Sequence, residues 1–334
     1  MSPVSNLNRA MPSRFPTSHV KRNRSRFHTR IMSTRAFAVA SLLVAYAATG
    51  AGQLPDKNFV IYHASQKVRV IPGLVYARYG TQQLLLDLYL PLPSAQSRPG
   101  VVVVRGGGWL VGDRERFAHV ASALAERGVA AACIEYRTAN KAPYPAAIQD
   151  VKAAVRWMRA NASQYGIDAE VIGIIGGSSG AHMALLAGLT SGIVEFEGSG
   201  GNPTMSSRVQ GVVAMAVPAD LLTLTETNKE TVGKFLLSTP EQDNAKWRWA
   251  SPVTHIRPDG PPVLLLHGAD DDSVPVSQST HFAQLYRDAG ASVEVHILDG
   301  APHAFWNYYP WFTDAMERAA NFFLHCKRDA DLKS

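Results

Sequence analysis

Cysteine is scarce, with two residues in 334, Cys133 and Cys326. So few, set so far apart, exclude a disulfide framework and any cysteine-based metal spacing. Cys133 sits inside the apolar run from Val129 to Ile134 and reads as a small buried side chain; a bridge to Cys326 is the alternative. Acidic residues are missing from the first 35 positions, which hold eight Lys or Arg. The formal charge of +6 therefore belongs to that stretch, and +6 less 8 leaves −2 for the rest. A nearly neutral body does not imply a basic groove for nucleic acid, and no nucleic-acid partner is expected. Long apolar runs are absent too. The longest, residues 36–48, is too short to span a bilayer comfortably, so no stable membrane insertion is expected. No fixed-period repeat or low-complexity tract occurs after it.

What remains is a chain with 46% hydrophobic and 18% charged residues, a balance that supports a large core. The run 36–48 has Arg35 before it and small residues, Thr49-Gly50-Ala51-Gly52, after it. That is the pattern of an export signal. Met32 would be a natural start for it, with residues 1–31 as an extension. Residues 1–52 are expected to be a leader, residues 53–334 the functional domain, and the destination secreted or periplasmic rather than membrane-anchored.

From about residue 68 apolar strands and amphipathic helices alternate. Leu84–Leu90, Val101–Val104, Val129–Ile134, Val171–Ile175, Val209–Val217, Pro262–His267 and Val293–Leu298 read as strands. Arg116–Arg127, Pro145–Tyr165, a segment from Ala181, and Trp311–Cys326 read as helices. Continuous apolar strands separated by helices give a mostly parallel sheet covered on both faces, an α/β fold. Residues 190–250 depart from the alternation and are expected to be an insertion whose helical part, 221–250, forms a partial lid.

Four loops carry chemistry. Gly176-Gly177-Ser178-Ser179-Gly180 follows a buried strand and precedes a helix. A serine hydroxyl needs such a tight turn to be exposed and aimed. Ser179, not flanked by glycines at the right offsets, is the rival nucleophile, but its backbone N–H is better placed as an oxyanion donor. Arg105-Gly106-Gly107-Gly108-Trp109 follows another strand, and its glycines can present backbone N–H groups to a developing negative charge. His267-Gly268-Ala269-Asp270-Asp271-Asp272-Ser273-Val274-Pro275 offers three adjacent carboxylates to orient a base. A calcium loop is the compositional alternative, without a second cluster to support it. Gly300-Ala301-Pro302-His303 offers a loop histidine as general base. His182, one turn past Ser178, is read as a buried helix residue; His267 and Asp150 are read as structural.

The order Ser, Asp, His and these four loops resemble α/β-hydrolase esterases of the hormone-sensitive-lipase-like and acetyl-xylan or feruloyl-esterase-like group, over roughly residues 68–326. In that group the acid loop reads His-Gly-x-x-Asp-x-x-Val-Pro, which selects Asp271, with Asp270 as runner-up. The resemblance implies an α/β-hydrolase fold, catalytic residues Ser178, Asp271 and His303, and an oxyanion hole from Gly107, Gly108 and Ser179. It implies no metal or organic cofactor, and a small-molecule or polysaccharide-linked ester as substrate. Trp109 and Trp306 are expected to line the substrate site. An arylformamidase-like amide hydrolase and a non-catalytic hydrolase-like module are the alternatives. One position departs from the group: Arg105 stands where its glycine loop has histidine. Bracing of the loop is the expected role.

Overall fold

In the computed structural model the chain divides into two units, Met1–Leu54 and Pro55–Ser334. Described are residues 58–63 and 65–331, with side chains as far as 327. The expected leader, residues 1–52, lies outside the described residues.

Eight strands form one sheet: β1 (Val68–Tyr79), β2 (Gln82–Pro91), β3 (Arg98–Val104), β4 (Ala130–Ile134), β5 (Ile167–Gly177), β6 (Gly211–Met215), β7 (Val263–Gly268) and β8 (Val293–Leu298). Their spatial order is β1-β2-β4-β3-β5-β6-β7-β8. β1 and β2 are antiparallel to each other, β2 is antiparallel to β4, and every pairing from β4 to β8 is parallel.

The valines of β3 show why the sheet needs two covers. Val101 and Val103 point into one core, Val102 and Val104 into the other, and all four are fully buried. Period-two alternation buries both faces, so the strand reads as one apolar run. α1 (Ala118–Glu126) and α7 (Trp311–Asp331) cover the first face; α2 (Ala146–Ala160), α3 (Ser179–Leu189) and α6 (Ser277–Asp288) cover the second.

Chain direction across the sheet reverses around β3. The chain leaves β3 for β4 on one side, then crosses back to β5 on the other. A crevice opens at the C-terminal ends of strands at such a point. The loops after β3, β5, β7 and β8 all leave from that edge, because these strands run parallel.

Two expectations change. The helix read over Pro145–Tyr165 is interrupted: α2 ends at Ala160, Asn161 caps it, and a short turn Ala162–Tyr165 closes on Gly166 in the left-handed region (φ 66°). The 190–250 insertion is not one piece, because strand β6, paired between β5 and β7, runs through it and divides it into 190–210 and the segment after Met215. The lid segment holds α4 (Glu226–Leu236) and α5 (Asn244–Trp249), and no disulfide joins Cys133 to Cys326.

The loop 190–207 owes its position to charge. Lys152 and Arg156, both buried on α2, reach Glu197 at 2.9 and 3.0 Å. Glu197 also accepts from Ser207 Oγ and the Gly192 N–H. Burial pushes Lys152 down to about 8, the nearby Glu197 offsetting only part of it.

Candidate active site

Ser178 stands at the junction of β5 and α3 with φ 56° and ψ −126°. A non-glycine residue there is strained. Its N–H donates to the Met215 carbonyl at 2.8 Å, which ties the turn to β6. A methyl group on Gly180 would stand 2.2 Å from the Val104 carbonyl oxygen, so α3 can enter beside β3 only with glycine there. The result is a partly exposed hydroxyl at the N-terminus of an 11-residue helix.

His303 arrives from the loop after β8. Its Nε2 lies 3.0 Å from Ser178 Oγ, and its Nδ1 lies 2.8 Å from Asp271 Oδ2. The carboxylate only accepts, so Nδ1 carries the proton and Nε2 offers its lone pair to the hydroxyl. The His303 ring packs edge-on to Trp306, centroids 5.8 Å apart.

Asp271, on the loop after β7, has a fully buried side chain. Its Oδ1 accepts the backbone N–H groups of Ser273 (2.9 Å) and Val274 (2.8 Å). Its Oδ2 also lies 3.1 Å from His267 Nε2. Burial alone would raise this carboxyl; the hydrogen bonds from His267 and His303 outweigh it and hold the group well below the usual carboxylate range. Asp270 is exposed, and its backbone N–H binds the Ala301 carbonyl. His267 is itself fixed: Nε2 faces the Val274 carbonyl (2.9 Å) as well as Asp271, and Nδ1 accepts from Ser279 Oγ at 2.7 Å. His267, read from the sequence as structural, thus also contacts the Asp271 carboxylate.

The glycine loop presses against the elbow. A methyl on Gly106 would lie 2.8 Å from the Gly177 carbonyl oxygen and 3.3 Å from Ser178 Cβ. Gly107 has φ 122°, and a methyl there would stand 2.0 Å from the Val111 carbonyl oxygen. Among the described residues the N–H groups of Gly107, Gly108 and Ser179 donate to no backbone carbonyl. The lid reaches the same place: Thr231 Cγ2 lies 3.0 Å from where a Gly108 methyl would be, and Asn228 Nδ2 donates to the Ser273 carbonyl. Neither lid contact has a motif or period in the sequence.

Trp109 and Trp306, expected at the substrate, are each only 4% exposed. Trp109 stacks on Phe235 of α4 (centroids 5.1 Å) and donates to His182 Nδ1 at 3.1 Å. Trp306 packs beneath Gly177 and beside Phe117. Both rings support loops from the interior. His182 Nε2 meets the Ala250 carbonyl at 2.8 Å, so the ring links α3 to the end of α5. Burial pushes it down to about 4, the Ala250 bond opposing only in part. Asp150 grips Arg137 through both oxygens, away from the site. Among the described residues no group of three or more His, Cys, Asp or Glu is arranged to hold a metal ion.

Residues 86–286 match the sequence model of the BD-FAE family, well over half of the chain. The chain belongs to the BD-FAE family. Residues 249–326 also match the dienelactone hydrolase family. This places the BD-FAE chain among the α/β-hydrolases, as the eight-stranded sheet and its solved neighbours do. Esterase LipQ of Mycobacterium tuberculosis (strain ATCC 25618 / H37Rv) is 34% identical over 239 residues, 68% of this chain and 55% of LipQ. An isoprenylcysteine alpha-carbonyl methylesterase of Arabidopsis thaliana is 28% identical over 235 residues, 67% of this chain and 55% of the plant protein. The chain thus spans about half the length of the curated relatives it matches. Among solved structures, a truncated carbohydrate esterase from gut microbiota superposes with TM-score 0.71 at 28% identity, covering 79% of this chain and 98% of that one. The propionate-bound esterase Est2 of Thermogutta terrifontis gives TM-score 0.65 at 27% identity, covering 78% and 94%.

Proposed function

We propose that this BD-FAE protein is a serine carboxylic-ester hydrolase working through an acyl-enzyme. The observation that carries the reading is the unbroken contact series Ser178 Oγ to His303 Nε2 to Asp271, at 3.0 and 2.8 Å. Ser178 Oγ attacks the ester carbonyl carbon, forming a C–O bond as the carbonyl π pair moves onto oxygen and the hydroxyl proton passes to His303 Nε2. N–H groups of Gly107 or Gly108 and of Ser179 receive the oxyanion. Collapse expels the alcohol, which takes the proton from His303. Water repeats the sequence on the acyl-enzyme and releases the acid. Asp271 keeps the proton on His303 Nδ1 and stabilises the imidazolium.

The substrates are esters of short to medium acyl or aryl acids, including acetyl or feruloyl groups on plant polysaccharide. The named activities of the similar proteins, a gut carbohydrate esterase and an acetyl ester-xyloside bifunctional hydrolase, support that class. Structures of Est2 with propionate and with butyrate support short acyl chains. Trp109 and Trp306 shape the site from behind, while α4 bounds it. The run 36–48 behind Arg35 supports a secreted or periplasmic destination; among the described residues no helix is long and apolar enough to cross a membrane.

The test is a panel of p-nitrophenyl acyl esters of increasing chain length beside N-formylkynurenine. Turnover is expected on acetyl to butyryl esters and lost on long chains. Fast formamide turnover with negligible ester turnover would replace this reading by the arylformamidase-like one; no turnover of either would favour a non-catalytic module.

A further inference from the structure

Arg105 is 2% exposed, as buried as a core valine, yet carries a permanent charge. Its partners among the described residues are neutral oxygens: Nη1 donates to the Gly106 carbonyl (3.1 Å), the Val111 carbonyl (2.6 Å) and the Tyr136 hydroxyl (2.9 Å). The guanidinium carbon lies 4.2 Å from the centre of the Tyr136 ring, and buried Nε has no partner among the described residues. Methyl groups built on Gly107 and Gly112 would stand 3.4 and 2.7 Å from Nη1, so the glycine loop wraps around the cation.

Bracing alone does not call for a charge. A neutral donor could hold two carbonyls, and an unpaired buried cation is expensive. What the charge adds lies in the covalent chain. The Gly106 carbonyl and the Gly107 N–H belong to one peptide unit. A cation bound to the carbonyl end withdraws electron density and makes the N–H end a stronger donor, since hydrogen bonds in series polarise one another in a low dielectric. The cation and the oxyanion then sit at opposite ends of one peptide group.

We propose that Arg105 is a positioning residue that strengthens oxyanion stabilisation through the Gly106–Gly107 peptide, in addition to holding the loop. The inference rests on the ester-hydrolase reading and adds an electrostatic function to a position where the resembling esterases carry histidine.

The experiment uses an aryl trifluoromethyl ketone labelled with ¹³C at its carbonyl. Ser178 Oγ adds to that carbon, His303 takes the serine proton, and the former carbonyl oxygen titrates between hydroxyl and oxyanion. Its pKa is read from the ¹³C shift. Arg105→Gln is expected to raise it by about one pH unit and to lower kcat about tenfold with KM nearly unchanged. Arg105→Lys keeps the charge and should stay close to the parent. Arg105→His should follow the parent at low pH and Arg105→Gln at high pH. A brace without electrostatic action would lower thermal stability and leave the pKa of the adduct where it was; that result in a folded Arg105→Gln overturns the proposal. If Arg105→Gln does not fold, kcat of Arg105→His and Arg105→Lys compared at pH 9 decides it: a lower value in Arg105→His is expected, and equal values overturn it. Absence of any adduct in the unsubstituted protein, or its persistence in Ser178→Ala, would instead refute the ester-hydrolase reading, and with it the basis of this one.

Discussion

His267 shares Asp271 with His303: its Nε2 approaches Oδ2 at 3.1 Å, the same oxygen that His303 Nδ1 meets at 2.8 Å. One carboxylate oxygen thus takes two imidazole donors, while the other takes two backbone N–H groups. The acid is held rigid by its own loop and strand before the base arrives. This explains how a carboxylate with no exposed side-chain surface stays ionised.

Asp271→Asn should lower kcat by about 10⁴, because the amide cannot hold the imidazole in its working tautomer. Asp270→Asn should remain within about twofold of the parent, since the residue is exposed and both histidines bond to Asp271 instead. Steady-state kinetics on p-nitrophenyl acetate separates them. The reverse ranking would move the acid to Asp270.

Stability should fall between pH 6.5 and 4 on account of His182. Its Nδ1 accepts from Trp109 and its Nε2 donates to Ala250, so the folded ring has no place for a second proton. Its folded value, about 4, is below the unfolded one. The unfolded chain therefore binds the proton first, and stability present above about 6.5 is lost as pH falls through 4. His182→Gln reproduces one donor and one acceptor without titrating. Urea unfolding at pH 7, 5.5 and 4.5 should show a shallower pH slope in that variant; an unchanged slope refutes the assignment.

Gly107→Ala should lower kcat by about 10² to 10³, the effect of losing one oxyanion donor. The new methyl would fall 2.0 Å from the Val111 carbonyl, at a φ of 122° that alanine resists, so the loop must move. Active-site titration with a phosphonate ester would show whether Ser178 still reacts. An unaltered rate would exclude this loop from oxyanion binding.

Glu197→Gln should destabilise the fold by about 3 kcal/mol, because it leaves Lys152 and Arg156 buried without a carboxylate. Loss of activity should be small while the protein stays folded, since the network holds the 190–207 loop rather than the site. Denaturant midpoints and kcat measured on the same preparation test both parts.

The four loops could be read from sequence because each is local. A buried strand, then glycines, then a functional side chain within a few residues is a one-dimensional pattern, and parallel strands bring such loops to one edge. The contacts that escaped join residues far apart in the chain. Tyr136 meets Arg105 from the end of β4, and Thr231 and Asn228 meet the glycine and acid loops from α4. None of these has a sequence period or a motif. β6 was read as a strand, yet its place inside the sheet between β5 and β7, which divides the 190–250 segment, depends on pairing and not on composition. Trp109 and Trp306 fall beside the right loops, but which way a ring turns is decided by packing against Phe235 and Phe117.

The backbone of Ser178, at φ 56° and ψ −126°, is a conformation that glycine accepts more readily than serine. Ser178→Gly should therefore raise the unfolding free energy by about 1 kcal/mol while abolishing turnover. At this position the substitution that improves folding is also the one that ends the chemistry. Thermal selection acting on a population without substrate would erode the nucleophile first, and directed evolution toward heat resistance would need an activity screen at every round to keep it.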